Sequence, residues 1–247
     1  MKICIAQTKP IKGNVSANIE GHKSLIDLAL KFKAEAIFFP ELSLTGYEPE
    51  LSKDLATNQN DYRLDTFQEI SNNNKIIIGL GLPTKTESTI RISMIIFEPS
   101  KARQTYSKQQ LHSDEYPYFE NGFEQVLIKA KATIAPAICY ESLQPIHSEN
   151  AYKLGADVYL ASVAKSENGV QKAFDHYPRV AKQYAMPVLM SNCVGFCDNF
   201  LSVGKSSVWS KDGELIGQLD DKSEGILIFD SETEEIIKSK INNIPEK

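Results

Sequence analysis

Hydrophobic and polar positions along the chain follow two different periods, and each change of period marks an element. Residues 2 to 7 form a short β-prone run. Asn14 stands as an N-cap before a stretch reaching about residue 33, where apolar residues at 15, 19, 26, 29 and 30 follow helical spacing. The run Ala36-Ile37-Phe38-Phe39 ends at Pro40, which has no N–H for a ladder, so a strand stops and a loop begins. A polar helix near 61 to 73 leads into Lys75-Ile76-Ile77-Ile78-Gly79-Leu80, and strands follow near 89 to 97 and 102 to 107 around the turn-prone Glu98-Pro99-Ser100. Two more β runs are expected near 124 to 130 and 132 to 139. A helix near 145 to 154, a strand at 157 to 161, a helix from 170 to 186 and a strand at 187 to 191 then repeat the β-α alternation. Residues 201 to 229 read as three strands, the first two joined across Lys211-Asp212-Gly213, where Asp-Gly signals a hairpin.

No linker, low-complexity tract or short-period repeat interrupts this order, so residues 1–247 are expected to form a single domain. Long β-α alternation mixed with consecutive strands implies a layered α/β fold with some antiparallel pairs. The composition, 42% hydrophobic and 24% charged, excludes disordered, collagen-like and coiled-coil chains. The 27 Lys and Arg against 32 Asp and Glu give a net charge of -5, far from the basic balance that a phosphate backbone selects, so no nucleic-acid partner is expected. Cysteines at 4, 139, 193 and 197 are too few and too uneven for a disulfide framework. The apolar run at the start is too short for a signal peptide, and no stretch approaches the ~20 apolar residues of a membrane span. A cytoplasmic protein without a membrane partner is the expectation.

Three strand ends carry residues capable of chemistry. Cys139 closes the run Ala132 to Ile138 and precedes a helix with Pro145 near its start. Such a strand-to-helix corner exposes a thiol to a cleft and aims free backbone N–H groups at it, although an isolated cysteine there is as a rule a small buried hydrophobe. Glu41 lies just past an apolar strand, where desolvation raises a carboxyl toward the working range of a general base. Lys108 ends the run Ala102 to Ser107, a place where most lysines are simply solvated.

Taken together, Phe38-Phe39-Pro40-Glu41-Leu42-Ser43-Leu44-Thr45-Gly46-Tyr47, Tyr106-Ser107-Lys108-Gln109-Gln110-Leu111 and Ala137-Ile138-Cys139-Tyr140-Glu141 resemble the three signature segments of the nitrilase, or carbon-nitrogen hydrolase, superfamily. Similarity extends to 114–122, 155–157, 179–192 and 200–213, so it covers almost the whole chain. The resemblance implies a catalytic Glu-Lys-Cys triad on Glu41, Lys108 and Cys139, with a supporting second glutamate on Glu115. It also implies a four-layer αββα sandwich of the nitrilase type, assembled as a homodimer or higher homo-oligomer.

These residue types suit amide hydrolysis. Cys139 would attack the carbonyl carbon, Glu41 would relay its proton, and Lys108 with the backbone N–H of Tyr140 would face the oxyanion. Where many amidase-like members carry Asp and Arg, this chain has Glu141 and Leu143, which makes Glu141 a candidate substrate-pocket residue and leaves the subclass open. Glu141 is closer to the nitrile-cleaving pattern, whereas Thr45-Gly46-Tyr47 is closer to the amidase pattern. The expected activity is hydrolysis of a small amide or N-carbamoyl compound; the alternatives are a true nitrilase and a catalytically silent binding or scaffold member of the fold. Cys193 and Cys197 lack further ligands for a metal and read as free thiols, and Gly79-Leu80-Gly81 lacks the third glycine of a dinucleotide fingerprint. No metal or cofactor is expected. Of the four histidines, His112 lies near the cleft, and His22, His147 and His176 read as surface residues.

Overall fold

The computed structural model describes residues 1–241. In chain order, β1 (Lys2–Gln7), α1 (Val15–Lys31), β2 (Ala36–Phe38), α2 (Ser52–Leu55), α3 (Asp65–Asn74), β3 (Ile77–Lys85), β4 (Ile90–Phe97) and β5 (Gln104–Ser107) build most of one half. The second half contains β6 (Ile128–Lys129), β7 (Thr133–Ile138), α4 (Pro145–Lys153), β8 (Val158–Ser162), α5 (Glu167–Tyr184) and β9 (Val188–Ser191). Then come β10 (Val194–Cys197), β11 (Phe200–Val203), β12 (Ser207–Trp209), β13 (Leu215–Gln218), β14 (Gly225–Asp230) and β15 (Ile236–Lys240).

A seven-stranded sheet runs β15-β14-β1-β2-β3-β4-β5 and a six-stranded sheet runs β13-β12-β9-β8-β7-β6. Both are mixed: β1, β2 and β3 are parallel, as are β7, β8 and β9, and the outer strands pair antiparallel. Strand alternation explains the layers. Ile3, Ile5, Phe38, Ile134, Ile138, Val158 and Leu160 point into the space between the sheets. Their neighbours Cys4, Ala6 and Ile37 face the opposite side, where Leu25, Ile26 and Ala29 of α1 and Phe67 of α3 cover the first sheet. On the second sheet Ala135, Ala137 and Ala161 are small, so the helices come close, with Ala151 of α4 and Tyr177 of α5 in the same cluster. The result is the αββα sandwich.

Several expectations about elements need correction. The run at 124 to 130 pairs only at Ile128–Lys129. Residues 200–203 turn back to pair with 194–197 in a separate hairpin, so the Asp-Gly turn joins β12 to β13. A final strand at Ile236–Lys240 follows, where no strand was expected. Among the described residues, no helix is long and apolar enough to cross a membrane.

Candidate active site

The site lies where strands of both sheets end. Glu41 follows β2, Lys108 follows β5 and Cys139 follows β7, so the C-terminal edges of two facing sheets bring them together. Buried serines tie those edges: Ser162 Oγ donates to the Phe39 carbonyl at 2.8 Å and Ser191 Oγ to the Ala6 carbonyl at 2.6 Å. Gly81 in β3 lets the Glu41 segment lie on the strand, since a Cβ there would stand 2.4 Å from the Pro40 oxygen and 2.5 Å from the Leu42 nitrogen.

Lys108 is fully buried and donates to Glu41 Oε1 at 2.8 Å and to Glu115 Oε1 at 2.6 Å. Tyr47 donates to the same Glu115 oxygen at 2.9 Å, and the His112 amide donates to Glu115 Oε2 at 2.7 Å. Burial works to lower the Lys108 pKa, but the carboxylates of Glu41 and Glu115 outweigh it and hold the ammonium charged. Two of its three N–H donors are used by those carboxylates, which leaves the third for another acceptor. Burial raises the Glu41 pKa, against the pull of Lys108. Glu41 Oε2 is buried and has no hydrogen-bond partner, and the Cys139 thiol is among the groups acting on this carboxyl.

Cys139 opens a 3-10 turn, Cys139–Leu143, with a left-handed φ of 47°, a conformation that is strained for a side chain bearing a Cβ. Its carbonyl accepts from Ser142 Oγ at 2.5 Å, and Ser142 is in turn bonded to the Tyr177 hydroxyl of α5 at 2.6 Å. The first N–H groups of such a turn have no acceptor within it, and Tyr140, which carries one of them, lines the cavity. Burial, then Glu41, pushes the Cys139 thiol up to about 11, opposed by Lys165 and Lys108. The resting group is therefore a thiol that needs a base.

Glu141 does not line the cavity, contrary to its reading as a substrate-pocket residue. Its carboxyl is wholly buried and accepts from Ile138 N and Gln109 N, both at 2.6 Å, from Gln110 N at 3.3 Å and from Tyr106 OH at 2.6 Å. It ties the Cys139 corner to the strand end that carries Lys108. The physical reason is periodicity within the 3-10 turn, which directs the side chain two residues past Cys139 back toward β5. His22 and His147 are also corrected: each is 2% exposed, and burial lowers each pKa to about 4. His147 bridges the hydroxyls of Tyr106 and Tyr159.

A cavity of about 470 Å³ opens onto Cys139, Lys108 and Glu115, and its wall includes Tyr47, Tyr140, Lys165 and His176. Lys165 was not among the residues singled out from sequence. Its signal was close to the one that marked Lys108, a lysine that follows a β run, but only packing tells which such lysine turns inward. Cys193 and Cys197 are buried thiols with sulfurs 3.5 Å apart. Among the described residues, no group of three or more His, Cys, Asp or Glu is arranged to hold a metal ion.

An αββα sandwich with a cysteine, two glutamates and a lysine at facing strand ends defines a class of hydrolase fold. The profile of the carbon-nitrogen hydrolase family matches residues 2–240, and the chain belongs to that family. An amidase from Nesterenkonia sp. AN1, solved as a mutant with acrylamide added to its active-site cysteine, superposes with a TM-score of 0.84 at 20% identity, covering 93% of this chain and 92% of that one. A glutamine-dependent NAD(+) synthetase from Acinetobacter baylyi is 26% identical over 99% of this chain but 46% of its own length, so the chain spans about half of that relative. An arylacetonitrilase from Aspergillus niger is 20% identical over 97% of this chain and 86% of its own.

Proposed function

We propose that the chain hydrolyses a small amide or N-carbamoyl compound through a thioester on Cys139. The observation that carries this reading is that Glu41 Oε2 is taken by no other donor while the Cys139 thiol, pushed up to about 11 by burial and Glu41, acts on this carboxyl. Glu41 takes the Sγ proton as sulfur bonds to the carbonyl carbon, and the carbonyl electron pair moves to oxygen. That oxyanion faces the free N–H of Lys108 and the amide of Tyr140, a contribution of ~10² to 10³ in rate for one donor. Glu41 then passes the proton to nitrogen, the C–N bond breaks and the amine leaves. Water, deprotonated by Glu41, attacks the thioester, and the proton returns to sulfur as the acid departs. Glu115 orients Lys108. On this reading residues 1–247 work as one domain, without a metal or cofactor, on a small-molecule substrate, as a homodimer or higher homo-oligomer in the cytoplasm.

The test is mass spectrometry of the chain after exposure to small amides. An acyl mass is expected on the peptide containing Cys139 and on neither Cys193 nor Cys197, and Cys139→Ala should abolish turnover with a melting transition close to wild type. Acylation elsewhere, or turnover by Cys139→Ala, sinks the assignment.

A nitrile reading has the arylacetonitrilase relatives in its favour. Ammonia release from an amide and a nitrile of equal chain length decides between them, with the amide expected to be turned over with the higher kcat/KM. The likeness to glutamine-dependent synthetases supports glutamine as one amide for that panel.

A further inference from the structure

Lys165 stands three residues past β8 and brings its Nζ to 3.8 Å from Cys139 Sγ. It is 5% exposed. Charges so deeply buried are as a rule paired, because desolvation is costly. The other buried ammonium at the site, Lys108, has two carboxylates within 3 Å. Among the described residues Lys165 forms no salt bridge, and the one side-chain hydrogen bond of its ammonium goes to the Cys139 thiol.

The position is built. Asn192 Oδ1 accepts from the Lys165 amide at 2.9 Å, while Asn192 Nδ2 and Ser202 Oγ donate to its carbonyl at 3.3 and 3.1 Å. Its aliphatic stem lies over Gly169 in the first turn of α5, where a Cβ would stand 3.2 Å from Lys165 Cβ and 3.3 Å from Cγ. Two turns further along α5 on the cavity wall, His176 Nε2 is buried without a hydrogen-bond partner. Burial, with Arg179 and Lys165 nearby, lowers the His176 pKa, so it offers a neutral ring to the same space. A cation and a second unpartnered polar group thus face the cavity beside the nucleophile.

We propose that Lys165 binds an anionic group of the substrate, so that the preferred substrates are short amides bearing a carboxylate a few bonds from the scissile carbon. The closeness of Nζ to Sγ sets the short spacing, since the reacting carbon becomes bonded to that sulfur while the carboxylate stays in contact with the ammonium. This rests on the hydrolase reading above and names its substrate class.

The test compares succinamate with butyramide, which replaces the carboxylate by a methyl group at equal chain length. Wild type is expected to favour succinamate by about 10- to 100-fold in kcat/KM, the range of one charge-assisted hydrogen bond. Lys165→Met should bring the ratio to about one, mainly through KM for succinamate, and Lys165→Arg should restore most of it. A wild-type ratio of one or below, or a Lys165→Met variant that lowers both substrates in equal proportion, overturns the proposal and assigns Lys165 to the thiol instead. Succinate gives a readout that needs no turnover: it should raise Tm of wild type and not of Lys165→Met. If succinate stabilises both equally or neither, the anion site falls even when amides are hydrolysed. If it stabilises wild type alone while no amide acylates Cys139, the anion site stands and the hydrolase reading falls.

Discussion

At Lys108 one side chain serves two purposes that a single substitution separates. Its ammonium neutralises Glu41 and Glu115 in a buried site, and in the proposed mechanism the N–H they leave free meets the oxyanion. Lys108→Met leaves two carboxylates without their cation, which costs about 3 to 5 kcal/mol when a buried pair is broken. The variant is therefore expected to melt earlier, and well below its Tm to show kcat lowered by at least ~10²-fold with a smaller change in KM, because an oxyanion donor acts mainly on the transition state. Retained kcat would make Lys108 a structural counter-ion only. Glu141 is different, since it touches no part of the cavity and holds the Cys139 corner against the Lys108 strand end. Burial raises its pKa from 4.5 to about 7. Between those values the folded chain holds a proton that the unfolded chain has lost, so the stability linked to this proton is full below about 4.5 and is lost as pH rises toward 7. Glu141→Gln removes that titration and misdirects an amide toward backbone donors, a loss of ~1 to 3 kcal/mol. Urea midpoints should show the variant less stable than wild type, with the deficit shrinking from pH 5 to pH 7.5. A deficit that grows with pH would mean that the four donors keep Glu141 ionised throughout.

Strand ends fix the site to within the reach of a side chain, and glycine in β3 fixes one of them further. A Cβ at Gly81 would meet Pro40 and Leu42 backbone atoms, neither of which can rotate away. Gly81→Ala is expected to push the Glu41 segment off the strand and lower kcat at least ~10-fold, since small misplacements of a reacting group cost up to ~10². Unchanged kcat would show that the loop absorbs the methyl without moving Glu41. Such strand ends were the legible part of the site in sequence, because Phe38-Phe39-Pro40 and the run closing at Cys139 announce where pairing stops. The helix opening at Asn14 was equally legible, as its side chain accepts from Ala17 N at 3.1 Å. Illegible were features set by tertiary contact. The direction of Glu141, the inward turn of Lys165 and the burial of His22 against Phe39, with ring centroids 4.1 Å apart, depend on neighbours remote in sequence. The β10–β11 hairpin was missed for another reason: Phe196 is 82% and Leu201 50% exposed, so the alternation that marks a half-buried strand is absent there.

For the molecule as a whole, the outer face of the second sheet's helices carries the feature that bears on assembly. Ile146, Tyr152 and Leu154, on α4 and just beyond its end, are 50%, 52% and 54% exposed, and Tyr152 lies 5.1 Å from Tyr184 of α5, centroid to centroid. Apolar side chains grouped on one helix pair are costly in water and suit a symmetric contact between two copies. This face also sits behind the nucleophile. α4 begins at Pro145, directly after the turn that holds Cys139, and Tyr177 of α5 bonds Ser142 in that turn. A second copy packed on α4 and α5 would therefore stiffen the corner that sets the thiol's position. Wild type is expected to sediment at roughly twice its 27.6 kDa chain mass at micromolar concentration. A variant carrying Tyr152→Glu and Leu154→Glu should fold, because both side chains are largely exposed, yet run as a monomer with reduced kcat. A monomeric wild type, or a charged variant that remains dimeric, would place the contact on another surface. A monomeric variant with full kcat would show that assembly and the Cys139 corner are uncoupled.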